Sequence, residues 1–575
     1  MSGRSWIVGG VVRIDRRSLL VGLAGGAALH PFMPAWAQSG RASSGPEALT
    51  GDEIALTIGH SHLSIDGRQG HAIAINGTVP GPLIRLKEGQ NVRLAVTNRL
   101  DEDTSIHWHG LLVPFQMDGV PGLSFPGIKP GETFVYEFPV RQAGTYWYHS
   151  HSGLQELVGH YAPMIIDPAG PEPAPYDREH VIVLSDYSFM HPHQLIARLK
   201  QEAGFFNRQK QTVGGLLSGR DQPLKDRLAW AQMRMDPTDI LDVTASTYSY
   251  LANGHGPKDN WTGLFALGER VRLRFVNAAA MTIFNVRIPG LSMRVVQADG
   301  IDVAPVEVDE FQIANAETYD VIVQPAEDRA FTIVAEAADR SGMARATLAP
   351  RPGMAAAVPP LRKRPLLSMK DMGMGSMDHA AHGGAMDHGS MGMRDPANAP
   401  GVPLNPGVQM ISPMPVDRVA DRGTGLEDVE HRVLTYADLV ALEPNRDTRT
   451  PSRSLEIHLT GNMERFMWSF DGEKFSEVVE PIPFRFNERV RVTLVNDTMM
   501  NHPIHLHGHF VELVNGHAGR HPRKHTVNVM PGGKLTFDLT ADEPGDWAFH
   551  CHMLLHMHAG MFKVVTVRPL DGGAA

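Results

Sequence analysis

An all-β fold of three β-sandwich domains is what the chain predicts, and three observations carry it. One segment recurs three times, as Gly89–Asn98, Gly268–Asn277 and Asn487–Asn496. Each copy alternates apolar and polar residues at period two, the pattern of a half-buried antiparallel strand. Each is preceded by a turn signal, Asn76-Gly77, Asn253-Gly254 or Asp471-Gly472, and long helical periodicity is scarce. A single such strand arises by chance; three with matching turns indicate duplication. The spacing places the domains at 50–168, 175–352 and 433–572, with one short connecting helix expected around 192–202.

The N-terminus reads as an address. Arg16-Arg17 precede the apolar run Ser18–Ala24, and Ala35-Trp36-Ala37 is a small-x-small cleavage site. Residues 1–37 therefore form a twin-arginine signal peptide, for use by the twin-arginine export machinery, and the mature chain is expected in a periplasm. No later apolar run is long enough to span a bilayer. The formal net charge is −10, and −13 without residues 1–37, which hold four Arg and one Asp. Such a balance gives no reason to expect a nucleic-acid partner.

Cys551 is the only cysteine of the 575 residues. In an oxidising compartment it has no intramolecular disulfide partner, and metal ligation is a way to protect it. Its context is His550-Cys551-His552, with His556 and Met561 following. One thiolate, imidazoles and a distant thioether are the donors of a His2Cys copper centre with a weak axial Met.

Histidines cluster at three further places: His107-Trp108-His109, His149-Ser150-His151, and His502-Pro503-Ile504-His505-Leu506-His507. Ile106–Gly110 echoes Ile504–Gly508, and Gly144–His151 echoes Gly545–His552, so domains one and three carry histidines at equivalent positions. Domain two does not; its counterpart of the second pair is expected around Glu317–Val321. Domains one and three are therefore expected to meet, each giving four imidazoles to a shared cluster. On an extended strand residues i and i+2 share a face. His550 and His552 then serve one metal site while Cys551 serves another on the opposite side. His502 has the parity of the Cys551 site, whereas Ser150 takes the place of the thiol in domain one.

Residues 353–432, rich in Pro, Gly, Met, Ala and His, are expected to form a flexible insert rather than a packed core. Within it Met369, Met372, Met374, Met377, Met386, Met391 and Met393 alternate with His379, His382 and His388. Thioethers favour Cu(I), so this tract is a candidate for collecting cuprous substrate.

These motifs resemble the multicopper oxidases, and within them the periplasmic copper-resistance oxidases. The likeness extends to Phe115–Gly122, Asp339–Arg345 and Asn496–Met500 and spans essentially the whole mature chain. It implies three cupredoxin-like Greek-key domains and four copper ions. It also implies that His502, Cys551, His556 and Met561 hold the type 1 copper, and His107 and His505 the type 2 copper. His109, His149, His151, His507, His550 and His552 would hold the type 3 pair. Asp118 resembles the acid that orients water at the type 2 copper, although a turn residue before Gly119 is an equal reading. Some relatives carry a proton-relay acid between the type 1 His and Met; here Met557 and His558 stand there.

The leading expectation is a periplasmic oxidase that couples one-electron oxidation of Cu(I) to reduction of O2 to water, in exchange with other periplasmic copper-handling proteins. A laccase-like oxidase of phenols or aromatic amines is the enzymatic alternative. A copper-sequestering protein without turnover is the third reading, disfavoured because storage needs no thiolate for electron entry.

Overall fold

The computed structural model describes residues 48–374, 393–478 and 480–569. The leader and six residues of the Met/His tract (Met377, His379, His382, Met386, His388 and Met391) lie outside them. Six β-sheets form three face-to-face pairs. The first pair has strands Arg68–Ile75, Glu53–Ile65, Asn91–Asn98 and Thr133–Pro139 in one sheet, and Ile84–Lys87, Tyr161–Asp167, Gly144–His149 and His107–His109 in the other. The second and third pairs are larger, with six plus five and seven plus five strands.

The repeated segment occupies the same place each time. Asn91–Asn98, Val271–Asn277 and Glu488–Asn496 each pair in parallel with the domain's early strand and antiparallel with a later one. Their terminal asparagines repeat a buried role as well. Asn98 donates to the Glu102 and Ile128 carbonyls, Asn277 to those of Thr282 and Ile313, and Asn496 to those of Met500 and Val529. All three are fully buried, so each amide satisfies loop carbonyls that water does not reach.

In domain two the strand matching Gly144–His149 and Gly545–Cys551 is Phe331–Ala337, not Glu317–Val321. Phe331–Ala337 lies between Met343–Ala349 and Phe284–Arg287, whereas Thr318–Val323 belongs to the other sheet, beside Val271–Asn277. The expectation followed the local Thr-Tyr pattern, which inter-strand pairing overrides. Phe331–Ala337 also carries no histidine.

The connecting helix forms at Pro192–Gln201, with Pro at its first position and the His191 side chain capping it. Two further short helices, Val213–Leu217 and Leu224–Gln232, went unforeseen because their apolar periodicity is weak.

The flanks of the insert differ from the flexible segment expected. Leu367, Met372, Met374, Val402, Val408, Met410, Ile411 and Leu426 are buried. Val416–Asp417 adds a short strand to Gly533–Ala541, and Arg362 reaches Glu310 and Glu336 in domain two. Aliphatic and thioether side chains spaced along an irregular backbone fill grooves between domains without regular structure. Met372 and Met374 are therefore core residues, with Met369 and Met393 packed partly buried against the same core.

Among the described residues no helix is long and apolar enough to cross a membrane.

Candidate metal centre

The H-x-H strands come together at the seam of domains one and three. His107 faces His149 across its strand pair, and His505 faces His550. Two imidazole pairs stack across the seam: His107 on His507 and His109 on His505, each with ring centroids 3.9 Å apart. His151 lies 5.1 Å from His550 and His149 lies 5.0 Å from His552, by ring centroids. His507 Nε2 and His550 Nε2 approach to 3.0 Å. All eight predicted histidines thus share one site.

Their outward nitrogens are anchored. His107 Nδ1 donates to the Asp118 carbonyl at 2.8 Å, His505 Nδ1 to the His525 carbonyl at 2.6 Å, and His550 Nδ1 to the Cys551 carbonyl at 3.0 Å. His507 Nδ1 donates to Asp118 Oδ2 at 2.8 Å, and His149 Nδ1 to the Ser150 carbonyl at 3.0 Å, with Glu156 Oε2 2.8 Å from the same nitrogen. Each bond fixes a tautomer with a bare Nε2 directed inward. The Nε2 atoms of His107, His149, His151, His505 and His552, and Nδ1 of His109, are buried with no protein partner. Unpartnered polar atoms at this density are costly unless an ion fills the space, so the donor set fits a metal cluster. Burial, with mutual repulsion, holds His109, His149, His507, His550 and His552 below their ordinary pKa, His550 at about 4, which keeps their lone pairs free.

On the other face of the same strand, Cys551 pairs with Ile504. Its Sγ lies 3.6 Å from His502 Nδ1 and 3.8 Å from His556 Nδ1, and those two nitrogens are 3.3 Å apart. The far nitrogens are again tied: His502 Nε2 to the Thr498 hydroxyl and His556 Nε2 to Asp242 Oδ2, both at 2.8 Å. Trp468 stacks on His556 at 3.9 Å. Met561 is fully buried, and its carbonyl accepts from Cys551 N at 3.2 Å. Burial pushes the Cys551 thiol far up and His556 down to about 3. A metal ion binding here displaces the thiol proton. The donors N, N and S, all buried, fit copper better than a hard cation.

Asp118 is 1% exposed and bridges the two halves of the cluster, its carbonyl serving His107 and its carboxylate His507. Its Oδ1 has no hydrogen-bond partner. A turn residue alone does not explain a buried carboxylate so placed.

Several neighbours were not foreseen. Glu156 and Asp242 orient His149 and His556, and neither has a motif spacing that marks it. His525 touches His109, its Nδ1 3.2 Å from His109 Nε2, and is brought there by the pairing of Thr526 with His505. His109, His505 and His525 form a further potential ligand triad. The buried Lys524 ammonium beside His525, held by Asp299 and Glu317 at 3.0 Å each, sets a positive charge against a cation there. His525 therefore reads as a support for His109.

A cavity of about 520 Å³ between domains two and three is lined by Met235, Met463, Met499, Asp236 and Asp239 among others, none of them a predicted copper ligand. Asp239 Oδ1 is buried and without a partner.

Comparison with known proteins completes the description. Three family models described as multicopper oxidase match residues 57–171, 179–356 and 448–571. The chain is 48% identical to a copper resistance protein A homolog of Pseudomonas syringae pv. tomato, over 96% of this chain and 99% of that one. It is also 48% identical to copper resistance protein A of Escherichia coli, over 97% and 100%. The crystal structure of a laccase from Botrytis aclada superposes with a TM-score of 0.63 at 22% identity, covering 92% of this chain and 90% of that one.

Proposed function

The chain belongs to the multicopper oxidase family, and from that premise we propose that it is an exported cuprous oxidase of copper resistance, taking electrons singly from Cu(I) and passing them to O2. His502, Cys551, His556 and Met561 would hold the type 1 copper, His107 and His505 the type 2 copper, and His109, His149, His151, His507, His550 and His552 the type 3 pair. Copper bound there supplies one-electron redox chemistry and the four-electron reduction of O2 to water.

The chain's own residues do the rest. Cys551 and its neighbours His550 and His552 join the two sites through a few covalent bonds. Asp118 Oδ1, buried without a hydrogen bond 3.3 Å from His107 Nδ1, is placed to hold a proton for the water formed. Asp242 keeps His556 in one tautomer and orientation, and the Ser150 carbonyl with Glu156 beside it does the same for His149. The packed seam keeps bulk water from the cluster.

The observation that carries the substrate is the cavity. Its thioethers, Met235, Met463 and Met499, are soft donors for Cu(I), and the Asp239 carboxylate offsets the charge. Asp239 is close enough to Asp242 for each charge to raise the other's cost, which ties the cavity to the carboxylate on His556. An aromatic substrate would call for stacking surfaces, and the lining named for this cavity has no aromatic side chain. The names of the copper-resistance relatives support the same reading, as does the leader for a periplasmic site of action.

Oxygen uptake by the copper-loaded protein tests it. Uptake on adding Cu(I) is expected, and is expected to fall at least tenfold in Met463→Leu/Asp239→Asn with oxidation of a small phenol retained. Equal loss of both activities would overturn the assignment. Deleting 375–392 asks separately whether that tract feeds the cavity; cuprous oxidation alone should slow.

A further inference from the structure

A second group of histidines lies apart from the copper ligands, on the edge hairpin of domain one. Glu53–Ile65 and Arg68–Ile75 pair antiparallel with His62 opposite His71. His60 and His62, two residues apart, share a face, and His71 points to the same side. Three imidazoles therefore project from one exposed face of a two-stranded ribbon, where a strand this polar gains nothing in packing.

The side chains are aimed at one another. His60 Nδ1 and His71 Nε2 are 3.0 Å apart, and His60 Nε2 lies 3.2 Å from Asp101 Oδ1. Asp101 accepts the proton of His60 Nε2, which leaves Nδ1 as a lone-pair donor directed at His71. This is the carboxylate–histidine arrangement that orients metal ligands elsewhere. His191, from the start of the domain-two helix, adds a fourth imidazole nearby. His60, His62 and His191 all help to hold the His71 pKa below its ordinary value, after burial itself. The two domains meet here through the Arg68 guanidinium, 3.8 Å above the Phe189 ring, and the Tyr187 hydroxyl, which donates to the His71 carbonyl at 2.6 Å.

We infer that His60 and His71, with His62 beside them and Asp101 behind His60, form a surface site for Cu(II). The donors select the ion. Imidazoles suit Cu(II), which heads the affinity order of the first-row divalent ions, above Zn(II). Without metal, one proton on His71 Nε2 bridges to His60 Nδ1. An ion replaces it once His71 carries its proton on Nδ1 instead, so no strand has to move. The site does not depend on which reductant the oxidase consumes, since it shares no residue with the cavity or the copper ligands.

The test uses the full-length, copper-loaded protein titrated with Cu(II), followed by calorimetry and by EPR. His60→Ala/His71→Ala is expected to lose one tight Cu(II) equivalent, together with an EPR signal whose nitrogen couplings report at least two imidazoles. Asp101→Asn should keep that equivalent and weaken it about tenfold. Phenol oxidation and circular dichroism should match wild type in both, since these side chains are exposed. Zn(II), lower in that affinity order, should compete poorly. The inference is overturned if the double variant takes up the same number of Cu(II) equivalents with the same EPR spectrum, or if Zn(II) displaces Cu(II) from this site at equal concentration.

Discussion

Asp242 Oδ2 accepts a hydrogen bond from His556 Nε2 at 2.8 Å, so a carboxylate of the second domain orients a histidine of the third. Domain two, which supplies none of the predicted copper ligands, is thereby part of the mononuclear site. Burial raises the Asp242 pKa to about 7, so its charge there is finely balanced. Asp242→Ala is expected to loosen copper at this site by roughly 10–100-fold, the usual cost of losing such a partner. Asp242→Asn, which still accepts the bond but carries no charge, should retain the copper at a higher reduction potential. Visible absorption during titration with a chelator, and redox titration of the thiolate band, read the two effects separately.

Asp118 makes a prediction of another kind. Under the proposed assignment it would act where O2 is reduced, not where the reductant docks. Asp118→Ala should leave anaerobic bleaching of the thiolate band by substrate unchanged while slowing its return under O2 by about 10²–10⁴-fold, the range of a lost proton donor. Stopped-flow absorbance measures both halves. Slowing of the bleaching step would place Asp118 on the wrong side of the electron path.

Much of this site was legible in the chain because its chemistry is local. His550-Cys551-His552 encodes two faces of one strand, and strand alternation turns that spacing into geometry without any tertiary knowledge. The duplicated motifs then brought His107 to His507 and His109 to His505, since the equivalent H-x-H pairs meet in exchanged order across a pseudo-symmetric seam. Asp242, Glu156 and His525 were illegible for the opposite reason. Each acts through a contact between segments far apart in sequence, and a lone buried acid leaves no periodicity. The insert misled by composition: its Gly and Pro content implied looseness, yet Met372, Val402 and Met410 are spaced widely enough to fill grooves one at a time. The domain-two strand was misplaced because Thr-Tyr at 318–319 imitates Thr-Tyr at 145–146, while only hydrogen-bond pairing tells the two sheets apart.

Acid should weaken the junction of domains one and two at a particular residue. Glu179 is shared by Arg85 of domain one and Arg274 of domain two, the latter at 2.9 Å. Burial alone would raise its pKa, but the two guanidinium groups outweigh that and hold it at about 2. A carboxylate depressed in the folded state contributes fully above its unfolded value near 4.5, and the contribution is lost as pH falls toward 2. The shift corresponds to about 3 kcal/mol, with the side chain only 17% exposed. Glu179→Gln is expected to lower Tm by several degrees at pH 7, and the gap to wild type should narrow between pH 4.5 and pH 3. A gap constant across that window would assign the loss to packing.

Glu156 separates orientation from charge at the trinuclear cluster. Its Oε2 lies 2.8 Å from His149 Nδ1, which also donates to the Ser150 carbonyl at 3.0 Å, while Oε1 is buried without a partner. Burial pushes its pKa well up, with Asp186 adding repulsion, so the fold tolerates this acid at a cost. A costly buried group without a structural partner on one oxygen persists where it sets a neighbour's geometry. Glu156→Gln preserves an acceptor of the same shape and should keep copper within a few-fold of wild type. Glu156→Leu fills the space but removes the carboxylate, leaving the Ser150 carbonyl as the one acceptor beside His149 Nδ1 and the ring less firmly oriented. Copper retained after dialysis against a chelator should then drop by roughly 10–100-fold at the trinuclear cluster, with the mononuclear absorption intact. If Gln and Leu lose copper alike, the carboxylate charge is what the cluster needs; if neither loses any, the His149 ring is held by its stack on Trp147 at 4.2 Å instead.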